Sequence, residues 1–199
     1  MTDFNLILTP QSHSRTREQT SNRFFHSLGT IFLFVTSDLE TKIGLLEGYR
    51  NTEKGGCNPA YLTIQSAIEY ETKENLLRDP QRQSGARTIL RLHRALEFLS
   101  SLMLNLSKLT ESEETAPAAR EAYSNTLAKH HPWTIRTIAS FAMRTLPHKK
   151  LLVESVLGKE NMGNETVTNE KMLMLANVTE NLFNVVDKYY EENNIKDLP

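Results

Sequence analysis

Between positions 86 and 108, apolar residues return every three or four places: Ile89, Leu90, Leu92, Leu96, Phe98, Leu99, Leu102, Met103 and Leu106. A strand repeats every two residues and a helix every 3.6, so this spacing predicts a helix over roughly 86–108. Its apolar side chains cover more than one side, which a surface helix does not need. A chain whose most apolar helix is buried from several sides is committed to a helical core.

The remaining segments repeat the pattern. Phe24, Phe25, Leu28, Ile31, Phe32, Val35, Leu39, Ile43 and Leu46 predict a long helix over about 23–50. The run Gly55-Gly56-Cys57-Asn58-Pro59 breaks it, and Pro59 suits the first turn of a second helix carrying Tyr61, Ile64, Ile68, Leu76 and Leu77. Pro80 and Gly85 mark the next loop. Pro117 opens a helix running to about Lys129, and Pro132 forces a restart because proline disfavours helical backbone in the residue before it. Helices are then expected over 133–144, 147–157 and 169–192. No strand-like alternation bounded by hairpin turns competes, and no repeat of fixed period is visible. The expectation is an all-α chain of about seven helices: one domain over 23–199, preceded by a loose polar leader over 1–22. At 199 residues the chain can bury a continuous core and still leave room for a ligand.

Charge and cysteine usage exclude several classes. Lys and Arg number 23 against 24 Asp and Glu, a net charge of -1, so no nucleic-acid partner is expected and any anion site must be local. Cys57 is the only cysteine and cannot close an internal disulfide. With no secretory h-region at the N-terminus, a cytoplasmic setting is expected. The greasiest run, Leu28 to Val35, is interrupted by Gly29 and Thr30, so no membrane span is expected.

Three constellations could carry chemistry. Arg87, Arg91 and Arg94 stand at i, i+4 and i+7 on the most apolar helix, which lines their guanidinium groups along one side. Three like charges there make sense around an anion, and the planar guanidinium fork suits phosphate; a solvated stripe has the same spacing. Asp38 and Lys42 form an i, i+4 pair, which on spacing alone is an ordinary surface ion pair. His131 precedes Pro132 and Trp133, where a histidine can cap, pack or bind. His130 and His131 do not share a helix face and have no carboxylate or cysteine at ligand spacing, so no metal is expected. An acid/base pair of His131 and Asp38 lacks a nucleophile elbow, a metal set or a glycine-rich phosphate loop, so no catalytic residue is assigned.

Taken together, several motifs resemble the glycolipid transfer protein superfamily over about residues 23 to 199. They are Phe25-His26-Ser27-Leu28-Gly29-Thr30-Ile31-Phe32 with Asp38 and Lys42, Ser84-Gly85-Ala86-Arg87-Thr88-Ile89-Leu90-Arg91-Leu92-His93-Arg94-Ala95-Leu96, His131-Pro132-Trp133, Thr145-Leu146-Pro147 and the closing Lys196-Asp197-Leu198-Pro199. The resemblance implies a two-layer helical sandwich that holds one sphingolipid, without disulfide, cofactor or metal. It also implies a monomer that touches Golgi, endosomal, plasma or nuclear membranes transiently. Carried across by position, Asp38 would accept a hydrogen bond from the lipid's amide N–H and His131 would donate one to its carbonyl. Lys42, Arg87 and Arg91 would bind a headgroup phosphate, with Arg78 a further contact and Arg94 behind them. Sugar-binding relatives place a tryptophan where this chain has Arg91, so the implied cargo is ceramide-1-phosphate, moved between membranes or, alternatively, held by a sensor without efficient transfer.

Two expectations go with this reading. Trp133 is a candidate membrane anchor beside Lys129, Arg136 and the pair Lys149-Lys150, against the alternative of a core tryptophan. The superfamily's N-terminal amphipathic helix is expected to be shortened or missing, replaced by Phe4 to Leu8 and a polar run.

Overall fold

The structure, a computed structural model, describes residues 30–51, 56–158 and 163–198, and of 30–36, 156 and 157 the helical backbone alone. The expected leader over 1–22, the shortened N-terminal helix, and Phe24, Phe25, Leu28 and Gly55 lie outside the described residues. Within the described residues the chain forms seven α-helices and no named strand. These are α1 (Thr30–Arg50), α2 (Ile64–Lys73), α3 (Gly85–Ser107), α4 (Ala116–Asn125), α5 (Trp133–Arg144), α6 (Lys149–Leu157) and α7 (Glu165–Glu192). Two 3-10 turns, Pro59–Tyr61 and Leu127–His130, complete the set.

The helix starts follow local chemistry. Pro59 begins only a 3-10 turn, and α2 starts later, behind a capping box in which the Thr63 hydroxyl accepts from Ser66 N–H and the Ser66 hydroxyl accepts from Thr63 N–H. It ends at Lys73, and Asn75, with φ 59°, turns the chain so that Leu76 and Leu77 lie beyond the helix that periodicity assigned them to. Ser84 caps α3 by accepting from Arg87 N–H. The helix containing Pro117 stops at Asn125 instead of Lys129, and the 3-10 turn carries the chain to His131, extended at φ -105°, ψ 137° as a pre-proline residue should be. α7 starts at Glu165 rather than 169 because Asn164 accepts from Val167 N–H and so supplies the cap.

α3 is the hub. It packs along α7 over the longest interface and also carries α4, α2 and α1, while α5 leans on α4. One core cluster joins Leu106, Ala118, Ala119, Tyr123, Met143, Leu146 and Leu152, from the C-terminal half of α3, α4, α5, α6 and the turn before α6. The second joins Ile68, Ala86, Leu90, Val186, Tyr190, Ile195 and Leu198, from α2, the N-terminal half of α3, α7 and the C-terminal tail. The arginines of α3 therefore rise from a helix whose other faces are locked by two cores. Lys149, with only 2% of its surface exposed, joins α6 to the segment after α3 and to α7 by donating to Leu109 O and Asn169 Oδ1.

Candidate functional site

Charges from two helices bear on His131. Its imidazole is pushed below the ordinary histidine range first by burial and then by Arg94 on α3; Asp38 on α1 pulls it back up and Lys42 pushes it down. These groups act on one ring because α1 packs on α3 and the His131 junction follows α4, which packs on α3 as well. His131 Nδ1 lies 2.9 Å from the hydroxyl of Tyr123. Asp38 Oδ2 accepts from Lys42 Nζ, and the Lys42 side chain is the more buried of the two, at 17% exposed against 55%. An ammonium has three donors, so this pair leaves Lys42 with others to offer.

The arginine row of α3 divides. Arg87 is half-buried on the first turn, and its Nη2 donates to Arg82 O at 3.4 Å. Arg91 is exposed, and its charge lowers the pKa of Arg94, an effect second to that of burial. Arg94 turns to the C-terminal tail, donating to Lys196 O at 2.9 Å and Leu198 O at 3.1 Å. Arg78 also meets the tail, through an exposed ion pair with Asp197 at 2.9 Å. A concavity of about 580 Å³ lined by Arg78, Glu191, Asn194, Lys196 and Asp197 lies there; its walls are polar, unsuited to acyl chains.

Beneath the first turn of α3 sits a buried carboxylate. Glu71, with 0% of its surface exposed, accepts from Tyr61 OH at 2.8 Å, Gly85 N at 2.7 Å, Ala86 N at 3.2 Å and the Ser84 hydroxyl. Two of these donors are orphan N–H groups of a helix N-terminus, where negative charge is also favoured by the peptide dipoles. Gly85 is required there, because a Cβ would come within 2.9 Å of the Tyr61 ring and 3.2 Å of Glu71 Oε1. Arg82 lies over the Tyr49 ring, 4.5 Å from its centre, and donates to Tyr61 OH at 2.6 Å. Spacing did not single out Glu71, Tyr123 or Arg82. Glu71 did leave a trace, a carboxylate on the stripe of α2 that buries Ala67 and Ile68.

A second buried pair ties α3 to α7. His93 Nε2 lies 3.2 Å from Asp187 Oδ1, its ring stacks on Phe183 at 4.1 Å, and Lys196 Nζ donates to Asp187 Oδ2 at 2.7 Å. Burial holds His93 below the ordinary range despite Asp187.

Trp133 is 70% exposed at the start of α5, with Ile138 and Phe141 also exposed, so it is not a core residue. Among the described residues no group of three His, Cys, Asp or Glu is placed to hold a metal ion, and no helix is long and apolar enough to cross a membrane.

A family model described as glycolipid transfer protein matches residues 18–158. A ceramide-1-phosphate transfer protein of Xenopus tropicalis is 37% identical over 184 residues, covering 89% of this chain and 81% of the relative. The crystal structure of mouse ceramide-1-phosphate transfer protein in its apo form superposes with a TM-score of 0.77 at 32% identity, covering 89% of this chain and 83% of that one. The human protein in complex with 2:0 ceramide-1-phosphate superposes at 0.75 with 31% identity over the same shares. With the helical architecture of these proteins and a family match over most of its length, the chain belongs to the glycolipid transfer protein family.

Proposed function

We propose that this chain carries ceramide-1-phosphate between membranes, binding one molecule by its phosphate and its amide. The observation that supports this most is the meeting at His131 of Asp38, Lys42 and Arg94, charges from α1 and α3 beside a polar ring. A phosphate leaving water needs several charge-assisted donors, and Lys42, Arg87 and Arg91 are the proposed set. Asp38 would accept from the amide N–H, and His131 would donate to the amide carbonyl. Arg78, whose Nη2 is engaged by Asp197, would join the phosphate through its other N–H groups. Relatives solved with ceramide-1-phosphate support the same cargo. No covalent step is involved, and the protein acts as a carrier rather than an enzyme.

The acyl and sphingosine chains would lie against apolar side chains of the helices. Exposed Ile138 and Phe141 on α5 and Met174 and Val178 on α7 offer apolar surface without a cover among the described residues. Loading requires the protein to touch a bilayer, and exposed Trp133, flanked by Lys129 and Arg136, is the proposed anchor. The protein would do this as a monomer in transient contact with membrane surfaces.

Replacing Arg87 or Arg91 by leucine tests the phosphate assignment. Each change should cost about 2 to 4 kcal/mol of binding and leave the helical circular dichroism unchanged. Unchanged transfer of ceramide-1-phosphate by both variants would overturn the assignment.

A further inference from the structure

We propose that Tyr123 is a positioning residue that holds His131 in the tautomer with its proton on Nε2, the donor that the amide carbonyl of a bound sphingolipid requires. This rests on the headgroup reading above and adds to it a residue that selects one end of the amide.

The inference follows from counting protons. Tyr123 is 6% exposed, packed edge-on to Phe98 at 6.4 Å and 83°, and its hydroxyl lies 2.9 Å from His131 Nδ1. That is the hydroxyl's only hydrogen bond among the described residues. A phenol has one proton to give, and neutral imidazole has one N–H and one bare nitrogen. If the phenol donates to a bare Nδ1, the buried O–H is satisfied and the ring proton must sit on Nε2. If Nδ1–H donated to the phenol oxygen instead, the buried O–H would lose its acceptor. Nε2 would then present a lone pair to the carbonyl oxygen it is meant to bind.

The surroundings keep both partners neutral. Burial raises the Tyr123 phenol above its usual value against a weaker opposing effect of Arg136, so it retains its proton. Burial and Arg94 lower His131, Asp38 opposes them, and Lys42 adds to them, so a second ring proton is disfavoured. Four charged groups thus bear on the pair, and the tyrosine supplies the one contact that distinguishes the two ring nitrogens. Asp38, an acceptor, and His131 Nε2–H, a donor, then form a pair matched to the N–H and C=O of one amide.

The decisive experiment is long-range proton–nitrogen NMR of the full chain with labelled histidine at neutral pH, using His131→Gln to assign the ring. The wild type should show an unprotonated Nδ1 and a protonated Nε2. Tyr123→Phe should shift the Nδ1 signal and admit the other tautomer. Its ceramide-1-phosphate affinity, measured with vesicles containing that lipid, should fall roughly three- to tenfold. A wild-type ring protonated on Nδ1 overturns the proposal, and so does a Tyr123→Phe variant with unaltered tautomer or unaltered affinity. The tautomer is read without lipid, so failure of the headgroup reading registers separately: Arg87→Leu would then bind as the wild type does while the wild-type ring still carries its proton on Nε2. Should Tyr123→Phe not fold, the wild-type Nδ1 signal decides: a bare nitrogen shifted by an accepted hydrogen bond supports the proposal, and a protonated Nδ1 or one with the shift of a free nitrogen overturns it.

Discussion

Single residues in this protein do two jobs at the first turn of α3: some present charge outward, and one buried carboxylate holds the turn in place. Glu71 collects four donors, two of them backbone N–H groups that a helix start leaves unpaired. Truncating it would strand the Tyr61 and Ser84 hydroxyls and both N–H groups away from water. Glu71→Ala is therefore expected to lower the unfolding free energy by about 3 kcal/mol or more, read from urea denaturation. A loss below about 1 kcal/mol would mean that water replaces the carboxylate. Arg87 and Arg91 contrast with it, since charged groups facing outward are expected to matter for binding and little for folding. The arginines could be picked out of the sequence because i, i+4, i+7 spacing is visible along the chain. His131 stood out beside Pro132 and Trp133, but its contact with Tyr123 did not, because it crosses the 3-10 turn Leu127–His130 and follows no helical period.

At the scale of elements, α5 is where sequence and structure agree most closely: Pro132 sets its start, and it runs over Trp133–Arg144 as expected. Its outer side carries Trp133, Ile138 and Phe141 in the open. Trp133→Ala should weaken association with vesicles and slow transfer, yet leave the melting temperature nearly unchanged. Truncating a core tryptophan would instead cost about 3 to 5 kcal/mol. A large fall in melting temperature with unaltered vesicle binding by the folded protein would rule the anchor out.

The seam between α3 and α7 carries the pH dependence. His93 is 3% exposed and stays neutral when folded, because burial lowers its pKa more than Asp187 raises it. Its Nδ1 has no hydrogen-bond partner among the described residues, so protonation would bury an N–H without an acceptor. An unfolded histidine takes a proton below about pH 6.5, so stability should fall as pH drops below that value and level off below the folded pKa. His130 and His131 are lowered as well and act in the same direction. Asp187 contributes only in a more acid range, since Lys196 and His93 together hold it below the ordinary carboxylate value despite burial. The melting temperature measured across about pH 7.5 to 5.5 should fall, and His93→Gln should flatten part of the slope. A flat wild-type profile would show that His93 protonates without penalty.

The helical periods, proline breaks and number of helices were legible because each depends on neighbours within a turn. The seam was not: His93 meets Asp187, and Arg94 meets the carbonyls of Lys196 and Leu198, across more than 90 residues. Only the packed chain brings them together. Arg78 shows the same limit, since its ion pair with Asp197 is invisible to spacing.

For the whole molecule, a net charge of -1 gives no general attraction for an anion, so any anion site must be local, and Lys42 on α1 and Arg94 on α3 both bear on the His131 ring. Selectivity follows from that concentration. Arginines desolvated against a neutral sugar would go unpaid by any countercharge, whereas a phosphate satisfies them. The direct test is a vesicle-to-vesicle assay offering ceramide-1-phosphate and galactosylceramide to the full chain in parallel. The expected result is transfer of ceramide-1-phosphate with galactosylceramide left in the donor vesicles. Equal transfer of the two lipids, or binding of ceramide-1-phosphate with no movement to acceptor vesicles, would contradict the account.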